Sequence, residues 1–348
     1  MGADSYYSRQ MRLPEVGQAG QERLKNSSCL VIGAGGLGSP ALLYLASAGI
    51  GKIGVCDGDT LEESNLHRQP LYSQESIGTS KALLAAERIE KLNPWIEVVS
   101  YPYRLRSDNA LSLFSSYDLI LDCTDNFRTK FLINDAAYLS KKPVVRASIY
   151  QFEGQLQTYI PKEGTACLRC MWEETPQEGC VGSCQEVGVL GPIPGYFGVL
   201  QAMEALKFFL QMPTLGFNEI LFSDLIYYTQ RIVSCDHKKE CPLCGDNPTI
   251  QTLSEKAIWE VEHRELKSKS FQLIDIREEE EIEADPYPGG KIVHNALSAF
   301  DSQALSPEVD YLLVCQRGKR SGALVLTLRA RGITNVYSLI DGVNGLSK

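Results

Sequence analysis

Positive charge is in short supply, histidine is scarce and long apolar runs are missing. The 348 residues carry 34 Lys and Arg against 43 Asp and Glu, a formal net charge of −9. That balance argues against nucleic acid as the main partner. No run of about twenty apolar residues occurs, so no membrane span is expected. The opening MGADSYYSRQ has no apolar stretch behind a basic start, so no signal peptide is expected. Internal repeats and low-complexity tracts are absent. The four histidines, His67, His237, His263 and His294, are scattered and read as structural. Eleven cysteines, an odd count, argue against a disulfide framework and for a reducing cytoplasmic setting with metal and thiol chemistry.

What is present is enough for a core. Hydrophobic residues make up 44% of the chain, and its length allows two or three domains. The first 150 residues alternate short apolar runs with helical patterns. Strands are predicted at 28–32, 52–57, 95–101 and 117–122, with a further one in PVVRAS. Helices are predicted after GAGGLG, at 79–92 and at 126–140. This βαβ rhythm implies an α/β fold, a doubly wound, mostly parallel, Rossmann-like sheet. From Gly154 hairpin-like runs follow, GQLQTYI, NEILFSD and IYYTQRIVS, interrupted by one long helix from about Gly195 to Gln211. Glycine, proline and polar residues in CPLCGDNPTIQTLSEK mark a boundary. We expect a first domain at 1–248, a linker at 249–256 and a small α/β domain at 257–348. The EEEE run in the latter reads as a solvated helix face.

GAGGLG fits G-x-G-x-x-G with Gly33, Gly35 and Gly38, and Gly36 lies within it. It follows a strand and opens a helix, so backbone and helix N-terminus can receive phosphates. Asp57 ends the second strand where a ribose-binding acid belongs. The motif alone does not separate NAD from ATP. The next segment, CDGDTLEESNLHRQ, places Asp57, Asp59, Asn65 and Arg68 beyond the sheet's C-terminal edge, and Lys81 opens a helix. Two cations near a phosphate loop suit a triphosphate. DCTDN adds carboxylates at another strand end, where an acid can hold Mg2+. Each residue singly also fits a surface ion pair or strand-end cap. A Rossmann oxidoreductase with a redox CxxC leaves Arg68, Lys81 and DCTDN unexplained.

CLRC (167–170) and CPLC (241–244) are two CxxC pairs. Cys167, Cys170, Cys241 and Cys244 can close a tetrahedral Zn2+ site, and a redox CxxC would normally stand alone at a helix start. Near the end, YLLVCQRGKRS puts Cys315 after a strand and before a helix. The helix N-terminus and Arg317, Lys319 and Arg320 favour an anionic sulfur there, thiolate or persulfide. The alternative is an ordinary buried strand-end cysteine.

GAGGLG, DGDTLEESNLHRQ, DCTDN and QAMEALK closely resemble the MoeB/ThiF adenylyltransferases, relatives of ubiquitin-activating enzymes, over about residues 5 to 245. The resemblance implies joining AMP to the C-terminal glycine of a small ubiquitin-like sulfur carrier ending in Gly-Gly, of the MoaD/ThiS kind. It implies that Asp57 binds the ATP ribose, that Arg68 and Lys81 bind phosphates with Asn65 beside them, and that Asp125 binds Mg2+. Arg9 matches an arginine donated across a homodimer. The four CxxC cysteines match a structural zinc site. Cys184, before the acidic-GVLGP segment, matches a loop cysteine that in some members links covalently to the carrier; Cys180 does not match.

The last 90-odd residues resemble a rhodanese domain. LIDIREEEE is similar to its opening strand and turn. Cys315, Gln316, Arg317, Gly318, Lys319, Arg320 and Ser321 resemble its active loop and following serine, and LIDGVNGL its closing segment. GGKIVHNALS departs from the usual GHIPGA-type stretch. The combination implies sulfur transfer from a Cys315 persulfide to the adenylated carrier, feeding molybdopterin, thiamine or tRNA thiolation. The alternative is a rhodanese-like module that docks the carrier or a cysteine desulfurase.

Overall fold

The computed structural model describes residues 3–172, 188–254, 259–267, 270–287 and 292–347. It divides into two compact units, Met1–Glu255 and Lys256–Lys348.

The first unit is built on eight strands. They are β1 (Ser28–Ile32), β2 (Lys52–Cys56), β3 (Glu97–Tyr101), β4 (Leu119–Asp122), β5 (Val144–Tyr150), β6 (Glu153–Tyr159), β7 (Glu219–Asp224) and β8 (Thr229–Ser234), in the spatial order β3-β2-β1-β4-β5-β6-β7-β8. β3 through β5 run parallel, while β5 to β8 pair antiparallel. The sequence explains the change. β1 and β4 are near-continuous apolar runs, buried on both faces, as parallel strands under helices must be. β8 is exposed along its whole length and ends the sheet.

Two apolar layers cover the sheet. One joins β1 and β2 to the helices Gly38–Ala48, Lys81–Leu92 and Pro192–Leu210. The other joins β1 and β4 to the helices Ala110–Ser115 and Phe127–Ser140 and to three of the CxxC cysteines. The long helix begins at Pro192, earlier than the Gly195 expected, because proline is well placed in a helix's first turn, where an N–H has no partner to lose. Strand order reverses between β1 and β4, so their C-terminal ends form a switch-point crevice.

The second unit is a five-stranded parallel sheet of β9 (Glu260–Val261), β10 (Gln272–Asp275), β11 (Val293–His294), β12 (Tyr311–Val314) and β13 (Val336–Leu339), ordered β11-β10-β12-β13-β9. Its two-residue edge strands, β9 and β11, were not expected, since two residues carry no readable alternation. β12 alternates inward faces, Tyr311 and Leu313 to one layer and Leu312 and Val314 to the other. Among the described residues no helix is long and apolar enough to cross a membrane.

Candidate active site and cysteine centre

The glycine loop sits at the switch point. Gly33 leaves β1 with φ +90°, and a Cβ on it would stand 2.7 Å from the Cys123 carbonyl oxygen, at the end of β4. A Cβ on Gly38 would stand 2.0 Å from the Gly33 carbonyl oxygen. Both positions therefore require glycine, and the loop is pressed against the two strand ends that define the crevice. Gly35 and Gly36 complete the turn, and the helix Gly38–Ala48 points its N-terminus into the crevice, where its free N–H groups attract an anion.

Asp57 closes one side. One carboxylate oxygen accepts the Ala34 N–H at 2.7 Å and the other the Asp59 N–H at 2.8 Å. Burial raises its pKa, opposed by those two N–H groups and by the Lys81 charge. Lys81, the first residue of its helix and 7% exposed, reaches Asp59 at 3.7 Å, and Arg104 meets the same carboxylate at 3.1 Å. Asn65 is buried and closes a reciprocal cap with Glu62. Arg68 donates to the Ser64 carbonyl at 2.8 Å and lies beside His67. Its segment packs on the glycine loop: a Cβ on Gly36 would lie 3.5 Å from the Arg68 carbonyl oxygen. The structure thus brings Gly33, Gly35, Gly36, Gly38, Asp57, Asp59, Asn65, Arg68 and Lys81 to one edge.

The two DCTDN carboxylates separate in role. Asp122 is buried and accepts Lys130 Nζ at 3.3 Å on both oxygens, with the Thr124 hydroxyl at 2.6 Å. Asp125 is exposed at the start of the helix Phe127–Ser140, free of that ion pair. Arg9 is not at its own chain's crevice. Its neighbour Gln10 donates to the Ala48 carbonyl at 2.8 Å, at the far end of the helix whose N-terminus carries the glycine loop. Eleven residues at about 1.5 Å each put the two ends roughly 16 Å apart.

Sequence reasoning missed Tyr72, whose hydroxyl donates to the Ala34 carbonyl at 2.7 Å and fixes the loop from behind. Nothing in QPLYSQ signals it. It also missed Gln69, buried with Oε1 unpartnered and its amide nitrogen 3.6 Å from a Cβ on Gly35.

The four CxxC cysteines converge. Their Sγ atoms all lie within 4.8 Å of one another, with Cys167–Cys241 at 3.6 Å and Cys244 at 3.4 Å from both Cys167 and Cys170. A tetrahedron with Zn–S of about 2.3 Å has edges of about 3.8 Å, so the set fits that ion. Each pair lies on a tight turn: the Cys170 N–H returns to the Cys167 carbonyl at 3.0 Å, and the Gly245 N–H to that of Cys241 at 3.0 Å. The Lys238 N–H donates to Cys170 Sγ at 3.5 Å. Cys180 and Cys184 lie outside the described residues.

In the second unit Cys315 follows β12 and is 1% exposed. Its Sγ accepts the Ser321 N–H and hydroxyl, each at 3.4 Å, at the N-terminus of the helix Lys319–Ala330. Gly318 turns the loop with φ +76°. Gln316 faces away, bonded to Arg277, Asp285 and Asn344. Arg320 acts on the sulfur only through space, because its hydrogen bonds go elsewhere. It forms a two-pronged pair with Glu281 of the acidic helix, leaving Arg317 and Lys319 as the loop's other cations. Asp275 and Arg277 form a buried pair at 2.7 Å beneath the loop.

The chain matches the ThiF family over residues 7–243. The chain belongs to the ThiF family. This ThiF-family chain is 46% identical over 251 residues to the "Sulfur carrier protein adenylyltransferase" of Thermus thermophilus, covering 71% of this chain and 93% of the relative. It is 36% identical over 380 residues to the "Adenylyltransferase and sulfurtransferase MOCS3" of Culex quinquefasciatus, covering 98% and 86%. The crystal structure of E. coli MccB with MccA-N7isoASN matches with a TM-score of 0.61 at 21% identity, over 71% of this chain and 76% of that one, which supports the fold.

Proposed function

We propose that this ThiF-family enzyme uses ATP to adenylate the C-terminal glycine of a small ubiquitin-like sulfur carrier and then transfers sulfur to it from a Cys315 persulfide. The observation that carries the first step is the meeting of the glycine loop, Asp57 and Lys81 at the β1/β4 switch point. A carboxylate attacking an α-phosphate is anion meeting anion, so catalysis is positioning plus charge neutralisation. The nucleophile is already ionised and no general base is required. Asp57 holds the ribose hydroxyls. Arg68, Lys81 and the helix N-terminus offset the phosphate charge, and Asn65 steadies the Arg68 turn. Asp125, unlike Asp122, is at liberty to hold Mg2+, which would supply positive charge for the leaving pyrophosphate.

Arg9 lies at the wrong end of the helix to serve its own site, which favours donation across a homodimer. Cys167, Cys170, Cys241 and Cys244 would hold zinc, which would serve structurally by tying the Leu168–Met171 turn to the chain segment after β8.

For the second step, the terminal sulfur of a Cys315 persulfide attacks the acyl carbon and AMP leaves with the mixed-anhydride bond. The carrier is then joined to Cys315 as an acyl disulfide. A thiol then attacks the Cys315 sulfur, the thiocarboxylate leaves and the two sulfurs remain joined as a disulfide; Cys184 is a candidate for this reductive step. The Ser321 N–H and hydroxyl provide the donors an anionic sulfur needs. The 1% exposure of Cys315 favours a second reading, in which the rhodanese-like unit docks the carrier or a cysteine desulfurase. The domain division, a nucleotide unit followed by a rhodanese-like unit after a linker near 249–256, and a cytoplasmic setting belong to the same proposal.

The adenylation step is tested by carrier-dependent exchange of labelled pyrophosphate into ATP. Exchange that requires a Gly-Gly carrier and falls in Lys81→Met supports it. Exchange that ignores the carrier, or survives Lys81→Met, refutes it.

A further inference from the structure

We propose that Arg146 is the built-in counter-charge of the tetracysteine metal centre, an assignment that rests on the reading of that centre as zinc-binding. Arg146 stands in the middle of β5, in the apolar run PVVRAS, and is 7% exposed. A guanidinium does not give up its proton in a protein, so the residue places a full positive charge inside the first unit. An uncompensated buried charge is strongly destabilising. Yet among the described residues Arg146 makes one hydrogen bond, from Nη1 to Asn134 Oδ1 at 3.3 Å, and its Nε and Nη2 are buried without partners. The Tyr159 ring, 5.0 Å from the guanidinium carbon, supplies one face.

Among the described residues, the carboxylates nearest in the fold are already used. Asp122 sits opposite Arg146 in the β4–β5 register, but both its oxygens accept Lys130 Nζ at 3.3 Å. Asp135 accepts Arg169 at 2.8 and 2.7 Å. Each of those carboxylates therefore has a cation of its own, and neither pairs with Arg146. Asp236 is exposed to solvent, which screens it.

The compensating charge is on the sulfurs. The same Asn134 Oδ1 that receives Arg146 also accepts the N–H of Leu168 at 2.8 Å, the residue directly after Cys167. One amide oxygen thus holds the guanidinium at 3.3 Å and the backbone beside Cys167 at 2.8 Å, which sets Arg146 next to the Cys167 turn. Four thiolates around one Zn2+ carry a net charge of −2, since four negative charges meet two positive. Arg146 offsets one of these and Asn134 couples it to the Cys167 turn. The Tyr159 hydroxyl, whose ring covers the guanidinium, is also buried without a partner. Without the charge of the metal-loaded centre, the guanidinium has no counter-charge and destabilises the unit.

The test uses the full chain with Arg146→Gln and Arg146→Lys. Zinc affinity is read by competition with a chromophoric chelator, and melting is followed with zinc and after chelation. Arg146→Gln should weaken zinc binding about 10- to 100-fold, the range for residues supporting metal ligands. It should also lose less on chelation than wild type does, because the charge that needed the metal is gone. Arg146→Lys should keep most of the affinity. An unchanged affinity in Arg146→Gln overturns the proposal, as does an equal fall in melting temperature with and without zinc. Arg146→Gln that is insoluble even with zinc supplied also contradicts it. Wild-type protein that takes up no zinc overturns the metal reading itself, and is told apart because no variant is needed to see it.

Discussion

Replacing Gly38 by alanine tests whether the glycine loop is shaped by contact with its own strand end. The added Cβ would stand 2.0 Å from the Gly33 carbonyl oxygen and 2.9 Å from its carbon. Separations under 3.0 Å are essentially never tolerated, so the carbonyl must retreat by 3.0 − 2.0 = 1.0 Å or the helix start must lift away. Both atoms are backbone, with no flexible side chain to absorb the move. Overpacking of this kind costs about 1–3 kcal/mol of stability, leaving a folded protein. The crevice suffers more, since a shift of about 1 Å in a positioning element can cost about 100-fold in rate. We expect Gly38→Ala to lower kcat/KM for carrier-dependent pyrophosphate exchange by about that factor while the protein remains folded by circular dichroism. Gly195→Ala is the control: its Cβ meets nothing within 4 Å, and alanine is the better helix former, by up to about 1 kcal/mol. Gly38→Ala with exchange and ATP affinity equal to those of the control would refute the reasoning.

Other outcomes follow from the same geometry. If Arg9 acts across a homodimer, Arg9→Ala and Lys81→Ala are each inactive, but an equal mixture after subunit exchange regains about a quarter of wild-type exchange activity, one intact site in half the dimers; a mixture as dead as its parts contradicts the dimer. Cys170→Ser should release the zinc measured by atomic emission and lower the melting temperature by about 5 °C or more. Glu281 is held at about 2, below its ordinary 4.5, by Arg320. A lowered carboxyl contributes stability above about pH 4.5 and loses it as pH falls toward 2. Glu281→Gln should therefore flatten the acid-induced rise in hydrogen exchange of residues 270–347 between those values. The pair is more than one-third exposed, so the effect stays below about 1 kcal/mol.

Much of this was legible because the signals are local. GAGGLG lies between an apolar run and a helix pattern, and only glycine satisfies the contacts at Gly33 and Gly38. The two CxxC pairs are each a short turn, so their convergence needed only that distant strands meet. What stayed hidden depends on long-range packing. Nothing in DCTDN says that Asp122 is consumed by Lys130 and Asp125 is not. The acidic run is solvated as read, but nothing in it signals that Glu281 pairs with Arg320, 39 residues away. Tyr72 is a polar-loop tyrosine until the fold sets it against Ala34. Arg146 did carry a signal, a charge inside PVVRAS, but a partner for it cannot be read from neighbours in sequence.

The most direct test is the intact mass of a Gly-Gly carrier incubated with the full chain, Mg-ATP and a sulfur donor, beside the Cys315→Ala variant. Adenylation followed by transfer through Cys315 gives thiocarboxylate with wild type and acyl-adenylate alone with Cys315→Ala. Thiocarboxylate formed equally by both proteins would contradict the role of Cys315 and leave the second unit as a docking module, and a carrier of unchanged mass in both would contradict the adenylation itself.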